Sequence, residues 1–89
     1  MGANFQTGQL VFTRNAMDTL NYDDALSALG RHIRGDWGDV CSGDWADNDW
    51  SVEHGERILS SYKDRNGVKF WIITERNRST TTILLPEDY

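Results

Sequence analysis

Residues 57–86, RILSSYKDRNGVKFWIITERNRSTTTILLP, carry the pattern that decides the fold. Apolar and β-branched residues alternate with polar ones in three runs, Ile58 to Lys63, Val68 to Glu75 and Thr80 to Leu85. That period of two places successive side chains on opposite faces of a strand. Asn66-Gly67 separates the first two runs, and this dipeptide is a strong hairpin signal because both residues tolerate positive φ. A two-residue type I′ turn would set Asp64 opposite Lys69 and Tyr62 opposite Trp71. A three-residue loop with a glycine bulge shifts that register, and the sequence leaves both open. Asn77 falls in a second turn, Glu75 to Arg78, and Pro86 ends the third run because it has no N–H for the ladder. The expectation is an antiparallel three-strand meander in which Trp71, Ile73, Ile83 and Leu85 contribute to the core or the sheet surface.

Upstream, the period changes. Tyr22, Leu26, Leu29 and Ile33 recur at helical spacing and define an apolar stripe. Asn21 is a good N-cap, Asp23 and Asp24 suit the positive end of the helix dipole, and Arg31, His32 and Arg34 suit the negative end. Gly35 supplies the stop. A helix over Tyr22 to Arg34 is therefore expected to pack on the sheet, with the short run around Leu10, Val11 and Phe12 joining a sheet edge. The fold class expected is α+β, one main helix on a three- to four-stranded, mainly antiparallel sheet in two layers. Eighty-nine residues suffice for one domain, 1–89, with residues 1–8 expected to fray.

Between helix and hairpin lies GDWGDVCSGDWADNDWSVEHGE, Gly35 to Glu56. It holds seven carboxylates, Asp36, Asp39, Asp44, Asp47, Asp49, Glu53 and Glu56, with no Lys or Arg, in a chain whose net charge is −5. Gly-Asp-Trp occurs at Gly35 and Gly43, and Asp49-Trp50 echoes it. Ala46, Trp50 and His54 have helical spacing, so a short helix over Asp44 to Glu53 is compatible with the sequence, against the poor helix propensity of Asp, Asn, Ser and Gly.

This composition excludes several chemistries. An acidic chain lacks the basic footprint of a nucleic-acid or anionic-membrane binder, so neither is expected as a direct partner. Phe70 to Ile73 is too short to cross a bilayer, and Met1 to Leu10 has neither the basic nor the apolar region of a secretory signal; the expected location is the cytoplasm. Asp47, Asp49, Ser51 and Glu53 alternate like a calcium loop, but Val52 and Ile58 stand where that loop needs Gly and Glu. Cys41, the single cysteine, has acidic neighbours that disfavour a thiolate nucleophile paired with His32 or His54, and is expected to be a small buried residue. Gly35, Gly38 and Gly43 do not have phosphate-loop spacing. No metal or cofactor is expected, and no catalytic residue is assigned.

What remains is the pairing of tryptophan with acid. Packing explains Trp37, Trp45 or Trp50 singly. Together, the Asp-Trp pairs resemble an aromatic anchor ringed by negative charge, suited to a basic protein groove. The candidate partner-binding residues are Asp36, Asp39, Asp44, Trp45, Asp47, Asp49, Trp50, Glu53 and Glu56, with Trp45 or Trp50 as anchor.

The strings VFTRNAMD (Val11 to Asp18), GDWGD (Gly35 to Asp39), DRNGVKFWIITE (Asp64 to Glu75) and TTILLPEDY (Thr81 to Tyr89) resemble small "plasmid-related" proteins of bacterial plasmids and prophages. The likeness spans Val11 to Tyr89 and departs from the family over Asp44 to Val52. It implies a mobile element in a bacterial host. By analogy with acidic DNA mimics among anti-CRISPR and anti-restriction proteins, it implies an inhibitor of a host nucleic-acid-targeting defence complex. The alternatives are a small dimeric regulatory or interaction module and a minor carboxylate-dependent hydrolase; monomer and homodimer both fit the sequence.

Overall fold

Strand and helix follow from the two periods. The computed structural model describes residues 5–89, and Met1 to Asn4, part of the segment expected to fray, lie outside them. The described chain runs β1 (Gln9–Phe12), α1 (Arg14–Thr19), α2 (Tyr22–Ile33), α3 (Ser42–His54), β2 (Ile58–Lys63), β3 (Lys69–Thr74) and β4 (Thr80–Leu84), closing with a 3₁₀ turn, Pro86–Asp88. The sheet order is β1-β4-β3-β2. β2, β3 and β4 form the expected antiparallel meander, and β1 joins the edge of β4 in parallel.

One sheet face carries Ile58, Ser60 and Tyr62 from β2, Phe70, Ile72 and Thr74 from β3, and Thr81 and Ile83 from β4. All are buried, and Ala16, Leu20, Ala25 and Ala28 of the helical layer pack with Tyr62, Phe70, Ile72, Ile83 and Leu85 as one core. Each fully buried Ile or Phe there contributes about 1.5–3 kcal/mol relative to exposure. On the opposite face, Trp71 meets the ring of Tyr89 edge-on, and Ile73 and Leu84 are buried beside them. The result is a two-layer α+β fold.

The hairpin takes the three-residue loop. Gly67 N–H donates to Asp64 C=O, Asp64 N–H donates to Val68 C=O, and Gly67 sits at φ 80°. Tyr62 therefore faces Phe70 and Lys63 faces Lys69, so the Asp64–Lys69 and Tyr62–Trp71 pairs of a type I′ turn do not form. The cause is the Asp64 carboxylate. It accepts from Asn66 N–H and Val68 N–H inside the loop and from Asn21 N–H at the start of α2. Those donors hold its carboxyl below the usual carboxylate range, with the Asn21 amide the largest cause.

α2 begins and ends as its caps dictate. Asn21 accepts from Asp24 N–H, and Gly35 follows in the left-handed region at φ 83°. Its buried face differs from the expected stripe: Ala25, Ala28 and His32 point inward, while Tyr22 is 53% exposed and Leu26 is 37% exposed. The small alanines let the helix lie close to the sheet, and Tyr22 folds back to stack on Phe12 of β1.

His32 is tolerated inside because it has partners at both ring nitrogens, Ser60 Oγ at Nδ1 and Thr74 Oγ1 at Nε2. Thr74 Oγ1 touches Thr81 Oγ1, which donates to Thr7 C=O. That terminal carbonyl orients the chain. Thr81 spends its proton on it, so Thr74 donates to Thr81 and His32 Nε2–H donates to Thr74, while the Ser60 hydroxyl stands between His32 Nδ1 and Ile72 C=O. Phe5 packs on both His32 and Trp37.

Candidate partner-binding face

The acidic segment has first a structural role. Trp37 C=O accepts from Ser61 N–H and Asp39 N–H donates to Ser61 C=O, so residues 37–39 add a single parallel bridge to the outer edge of β2. Gly38, at φ 73°, lets the chain approach, since a Cβ there would stand 2.0 Å from Ser61 C=O. One step along, the Asn48 side chain donates to Leu59 C=O and accepts from Leu59 N–H. The edge of β2 is thereby closed to further strand pairing.

α3 spans Ser42–His54, longer at both ends than the possible helix over Asp44 to Glu53. Cys41 is its N-cap, with Asp44 N–H donating to Sγ, and is exposed rather than buried as expected. Gly55 in the left-handed region ends the helix. Arg78 completes it from the β3–β4 turn: its guanidinium donates to Ser51 C=O and Glu56 C=O. Asn48 and Ser51 face inward, and Trp45 and Val52 are half-buried beside them.

The seven carboxylates divide. Asp36 binds Arg31 through two hydrogen bonds and accepts from Gly38 N–H; the guanidinium holds its carboxyl below the usual range. Asp49 accepts from Nε1 of Trp37, and Glu56 pairs with Arg76. Asp39, Asp44, Asp47 and Glu53 are exposed, and among the described residues their carboxylates make neither a hydrogen bond nor an ion pair. The tryptophans divide too. Trp37 is fully buried in edge contact with His32, Trp45 is half-buried, and Trp50 is 52% exposed. His54 lies parallel on Trp50, centroids 4.0 Å apart, and its Nδ1–H donates to Trp50 C=O, so the exposed ring is held in place. Trp50 is thus the tryptophan available as an anchor, between Asp47 and Glu53 on neighbouring turns.

No family model, curated protein or solved structure matches this chain. Its chemistry must be read from the site itself. The alternating Asp47, Asp49, Ser51 and Glu53 lie on a helix, where they point in different directions and do not converge as a calcium loop does. Among the described residues, no group of three or more His, Cys, Asp or Glu is placed to hold a metal ion, and no helix is long and apolar enough to cross a membrane. Ser60 and His32 are in hydrogen-bond contact but wholly buried, which keeps substrate from them. Cys41 caps α3 from the surface, whereas both His32 ring nitrogens are occupied inside.

The residues the sequence reading missed are Asn48, Arg57 and Leu59. With Asp44 and Asp47 they line an open hollow between α3 and β2. Arg57 opens the β run and Leu59 lies within it, so nothing in one dimension connects them to the acidic segment.

Proposed function

We propose that this chain is a mobile-element-encoded inhibitor. It docks α3 on the basic groove of a host nucleic-acid-targeting defence protein and displaces the nucleic acid. The observation that carries the reading is Trp50, a large half-exposed aromatic stacked on His54, on a helix whose Asp44, Asp47 and Glu53 carboxylates have no partner among the described residues. An exposed tryptophan stacked on a neighbouring ring and flanked by carboxylates is the kind of anchor a docking surface uses. Asp39 extends the charge beyond the helix. Asp36, Asp49 and Glu56 contribute to the field while their hydrogen bonds hold the fold, and Trp45 supports the helix from its half-buried side. None of the seven carboxylates is buried, which favours charge display over acid–base catalysis. The resemblance to plasmid-related proteins points to a bacterial host, and the inhibitory role rests on analogy with acidic mimics carried by mobile elements.

The test is protection of a phage or plasmid in a host bearing such a defence. Asp44→Asn, Asp47→Asn and Glu53→Gln together should abolish protection while leaving the fold intact, because among the described residues none of the three side chains makes a hydrogen bond or ion pair. Trp50→Ala should weaken binding to the captured complex by on the order of 2 kcal/mol, mostly through faster dissociation. Wild-type protection by the triple variant sinks the reading.

A second reading, the dimeric interaction module, is favoured by one observation. The outer edge of β1 pairs with no strand among the described residues, and Leu10 and Tyr22 stand exposed on it and on the adjoining flank of α2. Size-exclusion chromatography over a range of concentrations checks it, since a dimer through this edge elutes earlier as concentration rises.

A further inference from the structure

The hollow beside α3 has a volume of about 230 Å3 and is lined by Asp44, Asp47, Asn48, Arg57 and Leu59. Its walls differ in what they have left to offer. The Asn48 amide is spent on the Leu59 backbone. The Arg57 guanidinium lies over the Tyr89 ring, donates to the Tyr89 hydroxyl and stands 3.5 Å from Glu75, so its charge is offset. Leu59 supplies apolar surface. Asp44 and Asp47, one helical turn apart, line the same hollow, and among the described residues their carboxylates have no hydrogen bond or ion pair. An apolar floor under two unpaired carboxylates is complementary to a long cationic side chain, whose alkyl stem covers the leucine while its head meets the acids.

We infer that this hollow receives one arginine side chain from the basic surface of the partner, a statement that rests on the docking reading above. Arginine fits better than lysine because its planar fork donates in two directions at once and reaches both carboxylates, where an ammonium acts as a point charge. An anionic group in the same hollow would meet two uncompensated carboxylates.

The experiment is a residue-resolved NMR titration of the whole protein with a hexa-arginine peptide and, separately, a hexa-lysine peptide at low salt. The expected result is that shifts concentrate on Asp44, Asp47, Asn48, Arg57 and Leu59, and that hexa-arginine binds several-fold more tightly than hexa-lysine. Asp44→Asn with Asp47→Asn should weaken hexa-arginine by about tenfold. Asp39→Asn with Glu53→Gln removes the same charge away from the hollow and should weaken it by less than about threefold. Retained dispersion of the α3 amides confirms that each double variant is folded. If both doubles weaken binding equally, or the shifts lie elsewhere on the surface, the hollow is overturned and the acidic docking surface stands. If hexa-lysine binds as tightly as hexa-arginine, the arginine assignment is overturned. If neither peptide binds, the docking reading falls with it.

Discussion

His32 is the residue whose protonation the fold resists. Burial is the main cause and the nearby Arg78 charge the lesser, and together they push its pKa from 6.5 down to about 3. The Nε2–H tautomer of the neutral ring heads the donor chain that runs through Thr74 and Thr81 to Thr7. The unfolded chain takes up a proton below pH 6.5 and the folded chain does not, so stability is full above that pH and falls as pH drops toward 3. That one group contributes a slope of roughly 1.4 kcal/mol per pH unit within the window. The lowered carboxyls of Asp24, Asp36, Asp64 and Asp88 add their own loss only further down, through the carboxylate range. Urea midpoints at successive pH values should therefore fall already between pH 6 and about 4.5, and the His32 ring should keep neutral chemical shifts across that interval. A His32 ring that titrates near 6.5 in the folded protein contradicts the buried relay. His32→Gln should flatten the upper part of the profile whatever its effect on stability at neutral pH.

Among the elements, α3 depends most on its surroundings. Asp, Asn, Ser and Gly in SGDWADNDWSVEH give it little intrinsic helicity, and tertiary contacts supply what propensity does not. Asn48 is the main tie, because its amide satisfies the only polar groups that Leu59 turns to the outer edge of β2. Asn48→Ala should cost on the order of 2 kcal/mol through those unpaired groups. Amide exchange should speed up at Leu59 and along α3 while β3 stays protected. Unchanged exchange at Leu59 would show that the edge is closed by other means. This dependence also explains what the sequence reveals. α2 was legible because Asn21, the two aspartates and Gly35 act locally, and the meander because its period is local. The buried side of α2 was not, since a pattern that counts histidine as polar cannot know that Ser60 and Thr74 wait for it across the sheet. α1 gave six residues and a Thr13 cap, too short a run for periodicity to register. At the candidate site the acids and tryptophans could be named, but which of them are spent on Arg31, Arg76 and the Trp37 ring depends on contacts made only after folding.

Across the whole molecule, charge is more one-sided than its net value of −5 conveys. Arg31, Arg57, Arg65 and Arg76 are paired with Asp36, Glu75, Asp24 and Glu56, and Arg78 is tied to backbone carbonyls. Of nine basic residues, Arg14, Arg34, Lys63 and Lys69 remain without a hydrogen bond or ion pair among the described residues. They lie on α1, after α2 and on the hairpin, so they form no track along which phosphates could displace counterions, whereas Asp39 just before α3 and Asp44, Asp47 and Glu53 on it have no hydrogen bond or ion pair among the described residues. Such a field is expected to favour cationic macromolecules over nucleic acid. Duplex or single-stranded DNA should show no mobility shift at low micromolar protein in about 150 mM salt, where screening acts beyond roughly 8 Å. Lowering the salt should not rescue DNA binding, because weaker screening strengthens the repulsion, yet it should accelerate association with a basic protein. The two salt responses have opposite signs. A DNA complex that tightens as salt falls would mean that Arg14, Arg34 and the hairpin lysines act together despite their separation, and that the acidic face is not the surface that meets the partner.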